Sequence, residues 1–85
     1  MPHPGPLLAR TPADIGHAIR AARKARGLTQ TQLATLSNVG QATISKLESG
    51  AVVPTLETVF DILAVLDLEL HVTPRSRSGD LEDLF

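Results

Sequence analysis

The sequence predicts a small all-α domain of four helices, followed by one C-terminal β-strand. Three observations support this fold class. Between residues 11 and 67, apolar residues recur at helical spacing, and capping residues divide the pattern into four segments. From residue 68 the apolar residues alternate with polar ones, which is the period of a strand. The chain has 85 residues, which is enough for one domain and no more.

The first predicted helix begins after Thr11, which can cap it. Pro12 suits the first helical position, and Asp14 lies where an acid interacts favourably with the helix dipole. Gly27 is the expected terminator, because glycine readily adopts the left-handed conformation. The apolar stripe of this helix consists of Ile15, Ile19 and Ala22.

Two short helices are predicted next, separated by a tight turn. Thr29 and Gln32 have the Thr-x-x-Gln spacing of a capping box, which opens the second helix. Asn38 tolerates the positive φ of a turn, and the third helix, over residues 41–49, is stopped by Gly50. The residues predicted to face inward are Leu33, Ala34, Leu36, Val39, Ile44 and Leu47.

The fourth predicted helix begins after Thr55, which can cap it. Its apolar residues recur at helical spacing, so we expect them to supply much of the core. One edge of this stripe, at Ile62 or Val65, is a candidate for contact with a second subunit. The predicted core residues are Leu56, Val59, Phe60, Leu63 and Leu66.

A strand is predicted after the fourth helix. Leu68, Leu70 and Val72 alternate with polar residues until Pro74 ends the pattern. A lone strand in a helical chain leaves its backbone N–H and C=O groups as an open edge, which proteins normally cover or pair. We therefore expect this strand to pair with the same strand of a second copy, so that its three apolar residues form the contact of a homodimer.

Charge is divided unequally between the two halves of the chain, although the net charge is only −1. Residues 1–50 contain six basic and two acidic residues, whereas residues 51–85 contain two basic and seven acidic ones. The basic half is therefore the expected site of contact with nucleic acid.

Cysteine is absent, and no apolar run is long enough to span a membrane. Residues 1–6 lack the features of a signal peptide, so we expect a cytoplasmic protein without a membrane partner.

Residues 23–50 combine a short capped helix, a tight turn and a second short helix with a polar outer face. This is the layout of a helix-turn-helix, in which the second helix enters the DNA major groove by its N-terminal end. Glutamine can bond bidentately to adenine, alanine and threonine methyls can contact the thymine methyl, and serine or lysine can reach base edges or phosphate. The candidate DNA contacts on this helix are Gln41, Ala42, Thr43, Ser45 and Lys46.

Further candidate contacts are to the DNA backbone. Thr29 and Gln30, at the start of the second helix, can bring backbone N–H groups and a side-chain amide to a phosphate. Arg20, Lys24 and Arg26 belong to the first helix or follow it, and they are candidates for phosphate contact. The alternative for all of these side chains is an ordinary solvated helix face.

Two stretches closely resemble the Cro/C1-type (XRE) helix-turn-helix family: residues 27–34, GLTQTQLA, and residues 39–50, VGQATISKLESG. The resemblance covers about residues 15–66 and implies a lambda-repressor-like domain of four helices. In that family an arginine late in the first helix pairs with a glutamate at the end of the recognition helix. Arg23 and Glu48 occupy these positions, which implies a structural ion pair. The family's usual fifth helix is missing, and the predicted strand stands in its place.

The segment LDLELHVTP, residues 66–74, is similar to the C-terminal strand region of the HipB antitoxins, which dimerise through a β-strand and carry a loose tail. The resemblance implies a homodimeric repressor that binds a palindromic operator in double-stranded DNA and represses its own operon. It also implies neutralisation of a HipA-type serine/threonine kinase toxin, in the bacterial cytoplasm and in association with the nucleoid. The predicted organisation is a flexible lead-in (1–10), a helix-turn-helix domain (11–67), a dimerisation strand (68–74) and a disordered tail (75–85).

No enzymatic activity is expected. His17 and His71 lie far apart, and Ser45 and Ser49 have no nearby histidine with an orienting acid, so we expect no metal site, no cofactor and no catalytic residue. Two other functions stay open: a module of the same fold that mainly inhibits a partner enzyme, and a simple repressor without a toxin partner. In the tail, residues 81–85 fit equally well a frayed end and a short linear motif for a partner or a protease.

Overall fold

The computed structural model of the protein describes residues 7–75 and contains, within them, four α-helices. Their bounds are α1 (Pro12–Ala25), α2 (Gln30–Ser37), α3 (Gln41–Ser49) and α4 (Leu56–Val65). The predicted all-α class is therefore confirmed. The expected flexibility before residue 7 and the expected disorder after residue 75 fall outside the described residues. None of the four helices combines the length and the apolar character needed to cross a bilayer.

The starts of α1 and α2 are determined by side-chain hydrogen bonds at the predicted capping residues. The Thr11 hydroxyl accepts from the Asp14 N–H at 3.1 Å, and the Asp14 carboxylate accepts from the Arg10 N–H at 2.9 Å. The bond from Arg10 is the largest cause that lowers the pKa of Asp14 below its ordinary value. At α2 the capping box is complete, because Thr29 and Gln32 each accept, through the side chain, from the other's backbone N–H.

Left-handed residues end α2 and α3. Asn38 has a φ of 57°, and Gly50 has a φ of 81°. This conformation is costly for most residues with a Cβ atom, which explains why an asparagine and a glycine occupy these two positions. The sharp turn at Asn38 allows α3 to begin at Gln41, with only three residues between the two helices.

The hydrophobic core lies between the four helices. Each fully buried leucine or isoleucine side chain stabilises the fold by about 1.5–3 kcal/mol relative to an exposed one. The burial of these side chains is therefore the main source of folding free energy in the domain. Leu68 follows α4 and packs against the same core, together with Ile15 and Val39. The largest fully buried side chains are Ile19, Leu33, Ile44, Leu47, Ile62 and Leu66.

Three apolar residues predicted for the core are exposed instead: Leu36 (60% exposed), Leu56 (67%) and Phe60 (50%). The buried face at α4 consists of residues 59, 62, 63 and 66, which have the spacing of a single helical stripe. Because successive residues are about 100° apart around a helix, Phe60 lies outside this stripe. Leu56 has the spacing of the stripe but is exposed as the first residue of α4. Ile62, a candidate from the sequence for a dimer contact, is fully buried in the core of a single chain.

The backbones of α1 and α3 approach each other closely at Gly16. A Cβ atom added to Gly16 would overlap the carbonyl oxygen of Leu47 and would lie 2.8 Å from its carbonyl carbon. Only glycine permits this approach. The position of α3 relative to α1 therefore depends on a residue that has no side chain.

The segment predicted as a strand is not part of a sheet in the single chain. The Leu68 N–H bonds to the Leu63 carbonyl at 2.9 Å, but residues 69–75 make no backbone–backbone hydrogen bond within the part of the chain that the structure describes. Leu70 is 42% exposed, and Val72 is 94% exposed. The pairing of this segment with a second copy stays a prediction, and these exposed apolar side chains are the ones that such pairing would bring together.

Candidate nucleic-acid interface

The helix pair α2–α3 is held rigidly by the core. Leu33 of α2 and Ile44 and Leu47 of α3 are fully buried. In the turn between the helices, the Val39 N–H donates to the Ala34 carbonyl at 3.2 Å. Since α1 contacts the backbone of α3 at Leu47, α3 is supported by both neighbouring helices and only its outer face is left to solvent.

The outer face of α3 is polar and carries the residues predicted to contact DNA. Gln41, Ala42, Thr43 and Lys46 are exposed, and Ser45 is half-buried. The first turn of α3 contains no acidic residue, and the N-cap residue provides no side-chain acceptor for the free N–H groups of that turn. The start of α3 therefore presents hydrogen-bond donors, and no repelling charge, to a phosphate backbone.

Four polar side chains, Arg23, Glu48, Gln30 and Gln41, form a continuous series of hydrogen bonds that we call the polar chain. Arg23 Nη2 donates to Glu48 Oε1 at 2.9 Å. The same carboxylate oxygen accepts from Gln30 Nε2 at 3.2 Å. Gln30 Oε1 then accepts from Gln41 Nε2, also at 3.2 Å. Gln41, the first residue of α3, is thus held by bonds that begin in the protein interior.

The inner end of the polar chain is a buried ion pair with two parallel hydrogen bonds. Arg23 Nε donates to Glu48 Oε2 at 2.8 Å, parallel to the bond from Nη2 to Oε1. The third nitrogen, Arg23 Nη1, donates to the Leu28 carbonyl at 2.7 Å. The two charged side chains are only 9% and 1% exposed. The hydrogen bonds to Glu48 raise the pKa of Arg23 above its ordinary value. Arg23 and Glu48, which the family resemblance assigns to a structural pair, therefore join α1 to the end of α3.

Cationic side chains border α3 on the side of α1. Arg20 and Lys24 are exposed, and they line an open groove of about 650 Å³ together with Gln30 and Ser45. His17 lines the same groove. Four of the predicted contact residues therefore lie together beside the outer face of α3. A duplex whose base edges contact α3 would bring backbone phosphates near these cations.

Thr29 and Arg26, two further candidates for phosphate contact, differ in orientation. Thr29 is exposed, and its hydroxyl oxygen accepts from the Gln32 N–H, which leaves the hydroxyl hydrogen able to donate to a phosphate. Arg26 instead reaches α4, where its Nη1 donates to the Val65 carbonyl at 3.3 Å. A cation at the carbonyl end of a helix is stabilising, so the structure places Arg26 to support α4 rather than to contact DNA.

The chemistry of this surface is that of binding. It offers amide and hydroxyl groups, backbone N–H groups and positive charge, which are the groups that contact DNA bases and phosphates. Within residues 7–75, no group of histidine, aspartate or glutamate side chains is arranged to hold a metal ion.

Two features of the site were missed in the sequence analysis. The role of Gly16 could have been found from the sequence, because a glycine inside a helix weakens that helix and therefore suggests a packing contact that requires it. The bond between Gln30 and Glu48 has no local signal, since these residues are 18 positions apart. Only the folded chain reveals that Gln30, expected at a phosphate, also connects the ion pair to Gln41.

Comparisons with known proteins show which sequences share this pattern. A family model described as Helix-turn-helix matches residues 19–72. The chain is 37% identical to the antitoxin HipB of Escherichia coli strain K12 over 60 residues, which cover 71% of this chain and 68% of HipB. It is 36% identical over 61 residues to y4dL, an uncharacterized HTH-type transcriptional regulator of Sinorhizobium fredii. That match covers 72% of this chain but 31% of y4dL, so the chain spans about a third of this relative's length.

Solved structures of HipB have the same fold. The structure described as "HipB-O4 20mer complex" matches with a TM-score of 0.73 and 32% identity, covering 81% of this chain and 97% of the HipB chain. The structure described as "HipA-HipB-O2-O3 complex" matches with a TM-score of 0.72 and the same identity and coverage. In both, the likeness extends over nearly the whole HipB chain.

Proposed function

Because the chain belongs to the helix-turn-helix family of DNA-binding transcriptional regulators, we propose that it is a homodimeric repressor of an operator that contains a palindrome. The observation that carries this proposal is the outer face of α3. Gln41, Thr43 and Lys46 are exposed on a helix fixed by the core and by α1, and Gln41, its first residue, is held by the polar chain. A helix presented in this way fits the DNA major groove.

Each contact residue has a specific role in this proposal. Gln41 bonds to an adenine, the methyl groups of Ala42 and Thr43 contact thymine methyls, and Ser45 and Lys46 reach base edges or phosphate. Phosphate contacts from the flanking helices then fix the position of the duplex without reading its sequence. The residues proposed for these contacts are Thr29, Gln30, Arg20 and Lys24.

Dimerisation determines the form of the operator. In the proposed dimer, residues 68–74 of two chains pair as strands, and Leu68, Leu70 and Val72 form the apolar contact. Two recognition helices related by a two-fold axis read half-sites about 34–36 Å apart, or a multiple of this distance. The exposed positions of Leu70 and Val72 in a single chain support this contact.

Selection of binding sites from a randomised duplex library, followed by affinity measurements on the selected duplex, tests the repressor function. We expect Lys46→Ala to weaken binding of the dimer to every duplex and to reduce the slope of log K against log salt by about 1.8, since one phosphate contact is lost in each of the two half-sites. We expect Gln41→Ala to relax the preference at one base pair of each half-site. A chain that selects no sequence, or variants that both bind like the wild type, would contradict the assignment of α3 as the reading helix.

Within this family, the more specific function that we propose for the chain is that of an antitoxin. HipB is named an antitoxin, and one matching structure is described as a complex of HipA with HipB. These names support a role in which the chain neutralises a HipA-type serine/threonine kinase toxin and represses the operon that encodes both, at the nucleoid in the bacterial cytoplasm. Co-expression with the kinase-like product of the neighbouring reading frame tests this role. Restored growth and a copurifying complex would support it, whereas growth arrest despite full expression would favour a simple repressor.

A second candidate function is a protein-interaction module that mainly inhibits a partner enzyme. The exposed apolar side chains of Leu56 and Phe60 on α4 favour this candidate, because they are placed away from the DNA-contact residues along the chain and remain uncovered in a single chain. Stable copurification with a partner, combined with DNA binding that is insensitive to sequence, would distinguish this function from operator repression.

A further inference from the structure

The polar chain has a direction, and Glu48 determines it. A carboxylate accepts hydrogen bonds and cannot donate them. The Glu48 carboxylate accepts from two N–H groups of Arg23, at 2.8 and 2.9 Å. Gln30 must therefore turn its amide nitrogen toward Glu48, as the 3.2 Å bond from Gln30 Nε2 shows.

The orientation of Gln30 then determines that of Gln41. With its nitrogen toward Glu48, Gln30 turns its amide oxygen toward α3, where it accepts from Gln41 Nε2 at 3.2 Å. One of the two N–H groups of Gln41 is thereby occupied. The Gln41 amide is left with one free N–H and with its carbonyl oxygen, and the exposed side chain presents both to solvent.

One donor next to one acceptor matches the major-groove edge of adenine, which offers the N7 acceptor and the N6 amino donor. Guanine offers two acceptors, N7 and O6, and therefore needs two donors. Gln41 could provide two donors only if its amide were reversed, so that its oxygen accepted from Gln30. That arrangement requires Gln30 to turn its oxygen toward the Glu48 carboxylate, which would place two acceptors face to face.

We propose that Glu48, although buried and remote from DNA, is a positioning residue that makes Gln41 selective for adenine over guanine by fixing the direction of the polar chain. This inference rests on the proposed function, since it assumes that α3 reads base edges. It assigns to the buried ion pair a part in base selection as well as in stability.

The experiment compares four variants of the full chain with the wild type, using duplexes that differ only at the base pair read by Gln41. Gln41→Ala identifies this base pair as the one whose preference disappears. Gln30→Met keeps the size and helix propensity of residue 30 but breaks the polar chain. Glu48→Gln supplies an amide that can donate to Gln30 and so permits the reversed direction. Gln32→Met is the matched control, because it makes the same substitution on the first turn of α2, where it removes the capping bond from the Thr29 N–H but no bond of the polar chain.

The wild type is expected to prefer adenine over guanine at this base pair by about 5- to 150-fold, the range of a good bidentate contact. Gln30→Met and Glu48→Gln are expected to reduce this ratio to less than about threefold, with preferences at the other base pairs unchanged. A purely structural role would lower affinity for all duplexes without changing this ratio. Gln32→Met is expected to keep the wild-type ratio. Thermal melting followed by circular dichroism establishes that each variant is folded, and Gln30→Met decides the test if Glu48→Gln does not fold.

Three outcomes would overturn the inference, and they are distinguishable. If Gln41→Ala changes no base preference, the proposed function of α3 fails and the inference fails with it. If Gln41→Ala abolishes the preference at one base pair but folded Gln30→Met keeps the wild-type ratio there, the proposed function stands and only the inference is wrong. A wild-type preference for guanine at that base pair would also contradict it.

Discussion

Substitution of Gly16 by alanine tests whether the close contact of α1 with α3 determines the position of the recognition helix. The added Cβ atom would overlap the Leu47 carbonyl oxygen and lie 2.8 Å from the carbonyl carbon, with the Glu48 Cα at 3.4 Å. Carbon atoms in favourable contact are about 3.5–4.0 Å apart, so the two helices must separate by about 1 Å. The obstacle is backbone, which cannot rotate away as a side chain can.

The expected loss of stability follows from two opposing terms. Overpacking of this kind costs about 1–3 kcal/mol, and the upper end applies here because backbone must move. Alanine is favoured over glycine inside a helix by about 1 kcal/mol, which offsets part of the loss. The net loss of about 2 kcal/mol corresponds to a decrease in Tm of about 8–16 °C for a domain of this size.

Thermal melting followed by circular dichroism measures this loss. Gly40→Ala is the matched control, because a Cβ atom there meets nothing closer than Thr43 Oγ1 at 3.8 Å. We expect the control to lose less than about 1 kcal/mol, the scale of an unfavourable N-cap residue. If Gly16→Ala melts at or above the temperature of the wild type, the two backbones are not in the contact described, and Gly16 does not determine the position of α3.

Three further predictions concern the ion pair, the dimer and the first helix cap. Arg23→Met should lower the free energy of unfolding by about 3–5 kcal/mol in denaturant titrations, because Glu48 would remain buried without its partner; adding Glu48→Leu should restore part of this loss. Leu70→Asp should give monomers in sedimentation experiments, whereas Thr73→Asp, on the opposite face of the predicted strand, should leave the dimer intact. The Asp14 carboxylate should stabilise α1 at neutral pH, because its folded-state pKa is lowered mainly by the bond from the Arg10 N–H. This contribution should disappear as the pH falls from about 4 through that lowered pKa, so Asp14→Asn should weaken the dependence of stability on acid pH.

Each of these predictions has a contradicting result. A double variant no more stable than Arg23→Met would show that the loss does not come from an unpaired buried charge. A dimer that persists in Leu70→Asp would exclude strand pairing as the main subunit contact. Parallel acid-unfolding curves for the wild type and Asp14→Asn would show that Asp14 does not contribute through its ionisation.

The helix ends were predictable from the sequence because they depend on neighbours in the chain. Thr11, the Thr29–Gln32 pair, Asn38 and Gly50 act through hydrogen bonds or backbone conformation within a few residues. A short stretch of sequence is therefore enough to predict such a cap. The outer face of α3 was predictable for a related reason, since the inward positions of Ile44 and Leu47 determine which residues of a short helix point outward.

Contacts between distant segments were not predictable in the same way. Phe60 and Leu56 are as apolar as the buried residues of α4, and only the position of α4 against α2 shows which of the apolar residues of α4 the core covers. The contact of Gly16 with Leu47 and the bond between Gln30 and Glu48 depend on the relative placement of three helices. Strand pairing between two chains depends in addition on a partner, which a single chain does not contain.

The central claim is that the start of α3, supported by α2, is the surface that enters a DNA groove. An NMR titration of the isotope-labelled chain with the selected duplex tests it most directly, because each backbone amide reports on its own surroundings. We predict that the largest shift changes fall on residues 41–46 and on Thr29 and Gln30, with smaller changes at Arg20 and Lys24. Largest changes on the exposed face of α4, at Leu56 and Phe60, with residues 41–46 unperturbed, would contradict the claim.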